Sequence, residues 1–350
     1  LPTNVSDVNY YTKTFPEGAV GIDPYKSYSD MFTGESTATK NPEYIWGRTS
    51  GSLRSYTRHV FPVGLMGGYN GMAVPQKFID AYYMVDGRDR TNSSDEYPYL
   101  EDGFTSEVKS FSGYQLKSGV YNMYINREPR FYASIGFSGC FWPCASTSEA
   151  VKKNVYVYYW KGASGYGASG KDKAVGSGDA NNYPVTGYVM KKYVHNDDAW
   201  SGTDATVLPK SFPIIRYAEI LLGYAETLNE LGDSKNAVKT VNLIRKRAGV
   251  GELDENKNWN KDELRQRIYK EYRVEFAFED NRFFDARRWA KAEEWFSKPV
   301  YKVTVTGSLE NPTYTRSLLE ERIFLSKCYH FPIPQQEVDN SQNIEQNAGW

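Results

Sequence analysis

Histidine and cysteine are scarce in this chain, with three of each among 350 residues. Cys140, Cys144 and Cys328 are too few for a disulfide framework and lack the paired spacing and neighbouring histidines of a zinc site. Cys140 and Cys144 could close one small loop in an oxidising compartment. His59, His195 and His330 offer little for nucleophilic catalysis, and no Gly-x-Ser-x-Gly elbow, P-loop or dinucleotide fingerprint occurs. No run of about 18 apolar residues exists, which excludes a transmembrane helix within the chain. An excess of either charge is missing too. The 42 Lys and Arg against 43 Asp and Glu leave no electrostatic footprint for nucleic acid, so no such partner is expected. Leu1-Pro2-Thr3-Asn4 contains neither an initiator Met nor a basic and apolar leader, so a processed or truncated chain is expected.

What is present divides by texture near Ser211. Residues 1–210 hold 23 of the 29 Gly and 11 of the 16 Pro, whereas 211–350 hold about half of all charges. The first part reads as a loop-rich region with short strands at Arg130 to Phe137, Val155 to Trp160 and Gly187 to Val194, where aromatic and β-branched residues cluster between turn formers. Gly162 to Asp179 has a loop composition, and long irregular loops in compact proteins are usually there for binding. The second part reads as helices. Ile215, Ala218, Ile220, Leu221, Leu222, Ala225 and Leu228 recur at helical spacing, ended by Gly232. Ser234 is expected to cap a second helix with Ala237, Val241, Ile244 and Ala248 inward, closed by Gly249. Together 212–249 has the proportions of one tetratricopeptide-like hairpin. Asn260 with Glu263 forms a capping box for a third helix over 260–290, striped by Leu264, Ile268, Tyr272 and Phe276. The C-terminal segment reads as extended and turn-rich.

Glu271, Glu275 and Glu279 lie one turn apart on that third helix, among Arg267, Arg282, Arg287 and Arg288. Di-metal carboxylate sites need Glu-x-x-His pairs, and no His lies between His195 and His330. The expectation is therefore an ion-paired structural face, joined by Arg245 or Arg247 from the hairpin. No cofactor is expected. Asp86-Gly-Arg-Asp89 and Asp197-Asp198 with Asp204 resemble calcium-loop fragments without the full ligand set, which leaves calcium open and ordinary turns as the expectation.

Aromatic residues are the abundant feature: 29 Tyr, 17 Phe and 8 Trp. Tyr and Trp suit half-wet surfaces because each joins an apolar face to a polar handle. Those in Gly-rich or polar loops, Trp46, Tyr69 with its neighbour Asn70, Trp142, Tyr166 and Trp200, are the candidate ligand-binding residues, each against the plainer reading that the ring pins its own loop. A sugar ring presents an apolar C–H face fringed by hydroxyls, which is what such a platform would hold.

Three ordered stretches carry a resemblance. They are 212–230 (FPIIRYAEILLGYAETLNE), Asn242-x-x-Arg245-x-Arg247-Ala-Gly249, and 271–289 (EYRVEFAFEDNRFFDARRW). With 331–337 (FPIPQQE), 346–350 (QNAGW), 74–87 (VPQKFIDAYYMVDG) and 126–135 (NREPRFYASI), the chain closely resembles the SusD/RagB family of outer-membrane nutrient-binding lipoproteins from about Tyr28 onward. The resemblance implies a mainly α-helical fold in which tetratricopeptide-like hairpins brace a loop-rich ligand-binding region, here 1–210, against a helical region, 211–350. It implies a non-catalytic binder of a glycan or oligosaccharide, anchored by lipid at the outer-membrane surface of a Bacteroidetes cell. Its partner would be a SusC-like TonB-dependent transporter. The family's lipid-modified Cys and further helical hairpins are absent, so a C-terminal part is expected, with the N-terminal remainder of the protein as a further partner. Sugar-contacting residues vary among members, so none is carried over. A peptide-binding, RagB-like member is the alternative. A two-carboxylate glycoside hydrolase and a structural helical adaptor stand behind it.

Overall fold

The computed structural model describes residues 22–35, 41–48, 53–160, 183–199 and 207–350. Helix α1 (Pro24–Thr33) starts on Asp23, whose side chain accepts from Lys26 N–H, and stops at Gly34, whose φ of 98° puts it in the left-handed region. Strand β1 (Tyr44–Arg48) pairs antiparallel with β2 (Phe212–Arg216), tying the beginning of the described chain to the helical part. Between them lies an irregular region whose core is aromatic, with Tyr82, Tyr124, Phe131, Phe137, Trp142, Tyr188 and Tyr193 fully enclosed.

The helical hairpin forms as its periodicity requires. Helices α3 (Tyr217–Glu230) and α4 (Ser234–Ala248) bury Ala218, Leu222, Ala225 and Leu228 against Ala237, Val241 and Ile244, while Ala248 packs into the aromatic core of the first part. The cap of α4 is Asp233, which accepts from Asn236 N–H at 3.1 Å, rather than Ser234, the first helical residue. Gly249 closes it in the left-handed conformation. Helix α5 (Lys261–Glu275) begins on Asn260, which accepts from both Asp262 and Glu263 N–H. The Glu263 carboxylate takes Lys257 Nζ at 2.5 Å and leaves the box open.

The expected helix over 260–290 is two helices. The backbone leaves α5 at Phe276, passes left-handed residues Phe278 and Asp280, and resumes as α6 (Asn281–Arg288). Carbonyls freed by the break find buried partners. Tyr28 Oη and Arg216 Nη2 donate to Glu275 O at 3.1 and 2.9 Å, Lys192 Nζ to Ala277 O at 2.8 Å, and Tyr193 Oη to Phe278 O at 3.0 Å. Tertiary donors from far along the chain thus replace the helical ladder.

Two further expectations change. Most of the strand read at 130–137 is a helix, Pro129–Ser134, with Pro129 at the first helical position where its missing N–H costs nothing. Only Ile135–Gly136 remains extended, pairing with Val189–Met190. After α7 (Ala292–Phe296), residues read as extended form a hairpin of β3 (Val300–Gly307) and β4 (Pro312–Glu320), which buries Val300, Val303 and Val305. The stretch 335–340 is a short helix. The mainly helical character, with few and short strands, agrees with the expected fold class.

Candidate functional site

The carboxylates singled out on α5 and in the break that follows it are turned into the protein. Glu271, Glu275 and Glu279 are buried with Glu43 and Glu128, and meet Arg130, Arg216, Arg245, Arg247 and Lys192, also buried. Arg130 reaches Glu128, Glu271 and Glu275 at 2.6, 2.7 and 2.8 Å. Arg216 reaches Glu43, Glu275 and Glu279 at 2.6, 2.7 and 2.7 Å. Arg245 binds Glu271 at 3.1 Å, Arg247 binds Glu275, and Lys192 binds Glu279 at 2.5 Å. Burial alone would raise the proton affinity of Glu275, but Arg247, Arg216 and Arg130 outweigh it and hold the carboxyl well below its ordinary range. Burial pulls the Lys192 ammonium down to about 8, although Glu279 opposes the shift. Five cations face five carboxylates, an arrangement that suits a buried structural joint. This is the structural face expected from sequence. It links the loop-rich segments carrying Glu43, Glu128 and Lys192 to the helices.

The candidate aromatics scatter. Trp142 is fully buried, its ring edge-on to Phe61 with centroids 5.4 Å apart, so it has no face to offer a ligand and leaves the list. The strand Cys140–Trp142, paired to Val155–Val157, is buried on both of its faces, which the flanking Cys and Pro hid. Asn70 is buried with φ 47°, its N–H donating to Phe61 O at 3.2 Å, so it shapes the turn that presents Tyr69. Tyr69 is half-buried, with the Arg58 guanidinium 4.6 Å from its ring centroid and the His59 ring at 5.2 Å. Trp46 is 61% exposed on β1, beside exposed Ile45. Tyr166, Trp200 and the loop 162–179 lie outside the described residues.

A concavity lies elsewhere among the described residues, where the segment Val74–Phe78 meets the end of α5, the start of α6, and α7. A cavity of about 280 Å³ is walled by Phe78, Phe278, Trp295 and Phe296 and rimmed by Lys77, Arg273, Arg282, Lys298 and Arg322. Two neighbouring hollows of about 460 and 580 Å³ share Arg273 and Arg282 with it, making one groove. Arg273 Nη2 donates to Lys77 O at 2.9 Å, Lys77 Nζ to Trp295 O at 3.5 Å, and Arg282 lies 3.8 Å over the Trp295 ring. Trp295 is itself braced edge-on by Tyr269 and Trp289 at 5.8 and 5.9 Å. Phe78 and Phe278 meet edge-on at 5.3 Å. The left-handed turn at Phe278 that ends α5 is what places that ring in the wall.

Electrostatically the groove is the reverse of the network. Burial, with the charges of Arg273, Lys298 and Arg282, pulls the Lys77 ammonium down to about 8. Burial lowers Arg273 to about 10, and burial with the charge of Arg273 lowers Arg282 to about 9. The nearby carboxylates are committed: Asp80 to Arg316 at 2.8 Å, Asp285 to Arg288 at 2.8 Å and Glu294 to Lys291 at 2.9 Å. Lys77 and Trp295 drew no attention in sequence because they are far apart in the chain and each belongs to an ordinary amphipathic turn. Among the described residues no group of His, Cys, Asp and Glu side chains is placed to hold a metal ion. No described helix is long and apolar enough to cross a membrane.

Comparison with known proteins agrees with this architecture. The SusD family model matches residues 42–350. SusD-like protein P2 of Formosa agariphila is 33% identical over 143 residues, 39% of this chain and 25% of that protein. A SusD-like protein of Bacteroides fragilis NCTC 9343 superimposes with a TM-score of 0.71 at 28% identity, over 95% of this chain and 58% of that one. A SusD-like carbohydrate-binding protein of the same organism superimposes with a TM-score of 0.62 at 21% identity, over 95% and 59%. The chain therefore spans little more than half the length of the solved structures it matches. With the family model covering the hairpin, the ion-paired network and the closing segment alike, the chain belongs to the SusD family.

Proposed function

We propose that the protein binds a glycan or oligosaccharide at the outer-membrane surface, without cleaving it, and hands it to a SusC-like TonB-dependent transporter. The observation that carries this reading is the aromatic-walled groove within a SusD-family chain. Glycosidase chemistry needs two carboxylates placed about a sugar. The three that stand out in sequence are held by buried guanidiniums, which argues for a scaffold role. An open groove walled by aromatic rings suits a polymer passing through, held by several modest contacts. Tyr69 and Trp46 remain candidate contacts on the outer surface, and lipid anchoring of the whole protein would keep the groove at the cell exterior.

Affinity electrophoresis of the full-length protein against plant, fungal and host polysaccharides tests this, with Trp295→Ala, Tyr69→Ala and Trp46→Ala in parallel. Retardation by a glycan without release of products, lost in Trp295→Ala, is the expected result. Retardation by no glycan together with binding of peptides would replace this reading with a peptide-binding one.

A further inference from the structure

The groove holds cations that form no ion pair with a carboxylate among the described residues. Other buried guanidiniums are matched: Arg130, Arg216, Arg245 and Arg247 bind carboxylates, and Arg127 donates to the carbonyls of Met123, Ile79 and Tyr82. Around the groove this rule fails. Among the described residues no carboxylate lies within ion-pairing distance of Lys77, Arg273, Arg282 or Lys298, and Asp280, on the rim of the third hollow, is exposed. Arg282 stacks on Trp295 and makes no hydrogen bond within the described residues, so its five donors are unspent. Arg273 spends one on Lys77 O. Bringing like charges together in partly dry surroundings is unfavourable, and a bound anion would relieve it. Beside these donors stand the rings of Trp295, Phe78 and Phe296, with Arg282 over one face of Trp295 and Arg273 5.6 Å from the Phe78 centroid, so that apolar rings and guanidiniums share one wall.

From this juxtaposition we infer that the groove takes an acidic saccharide, its sugar ring against the Trp295 and Phe78 walls and its carboxylate or sulfate ester on Arg282, Arg273, Lys77 and Lys298. A planar guanidinium matches either anion by paired N–H donors, so the shared chemistry is an oxyanion on a sugar. The inference rests on the glycan-binding reading above and narrows it. The lowered proton affinities of Lys77 and Arg282 come first from burial and then from the neighbouring cations, and they agree with the geometry without carrying it.

The test uses the full-length protein and two matched ligand pairs, de-esterified against methyl-esterified homogalacturonan and dextran sulfate against dextran, read by calorimetry. Within each pair the backbone is shared and the anion is the variable. One acidic member should bind about tenfold or more tightly than its neutral partner, the size of a lost charge-assisted contact, and which pair shows it tells carboxylate from sulfate. Lys298→Glu, at an exposed position, and Arg282→Gln should each remove that preference. Equal binding of acidic and neutral members overturns the inference while the glycan reading stands. Binding to none of the four and to no other glycan overturns both. A fall in melting temperature in Lys298→Glu or Arg282→Gln with the acidic preference intact assigns the cations to packing, and so overturns the inference.

Discussion

Helix α5 puts two kinds of charge on two faces, and their fates differ. Glu271 and Glu275 point inward and are fully matched by guanidiniums, whereas Arg273, between them in sequence, points toward the groove and faces Lys77 and Arg282. Charged residues two positions apart on one helix make a rigid joint on one side and an unbalanced surface on the other. The difference teaches how to separate scaffold from site in a charged helix. Neutralised charges report folding, and the charges left over report an outside partner.

The comparison can be broken most forcefully at the joint. Glu275→Gln leaves Arg216, Arg130 and Arg247 short of a buried counter-charge, and should lower stability by about 3 to 5 kcal/mol in chemical denaturation. A loss near zero would mean that the network is solvated and not the joint described. At the groove the effect should be smaller on stability and larger on binding. Arg282→Gln should cost under about 1 kcal/mol, because its N–H groups have no partner within the described chain, while acidic-glycan affinity falls about tenfold.

Acidity separates the two faces further. Because Glu275 is held below its ordinary range when folded, its stabilisation is present at neutral pH. It is lost as pH falls below the ordinary carboxylate value toward the folded one, so acid unfolding of wild type should be steeper than that of Glu275→Gln. At the groove the sign reverses. Lys77 faces Arg273, Lys298, Arg282 and Glu294 and is lowered to about 8, so acidic-ligand affinity should weaken as pH rises through about 8. In Lys77→Gln that pH dependence should flatten. The smallest effect is expected for Trp46→Ala, whose exposed ring should change stability by less than about 0.5 kcal/mol.

Much of the joint was legible in sequence. The spacing of Ala218, Leu222 and Ala225 against Val241 and Ile244 dictates the hairpin, and the four-residue interval of the glutamates with Arg245 and Arg247 nearby announces ion pairing. The break after Glu275 was not legible, since the donors that hold it, Tyr28, Lys192, Tyr193 and Arg216, come from distant segments. Pro129 read as a boundary, and the aromatic residues after it suggested a strand although their burial is served equally by a helix. Loop composition made Trp142 look like a platform, while its strand is buried on both faces. The groove escaped because its parts, Lys77, Arg273, Arg282 and Trp295, meet only after the chain has folded.

The most direct measurement runs wild type, Arg282→Gln and Glu275→Gln of the full-length protein side by side, through gels containing de-esterified homogalacturonan or dextran sulfate and through thermal melting. The account predicts that wild type is retarded by one acidic polymer. Arg282→Gln should migrate freely at nearly the wild-type melting temperature, and Glu275→Gln should melt far lower. Equal retardation of wild type and Arg282→Gln, or a melting loss in Arg282→Gln as large as in Glu275→Gln, would contradict it.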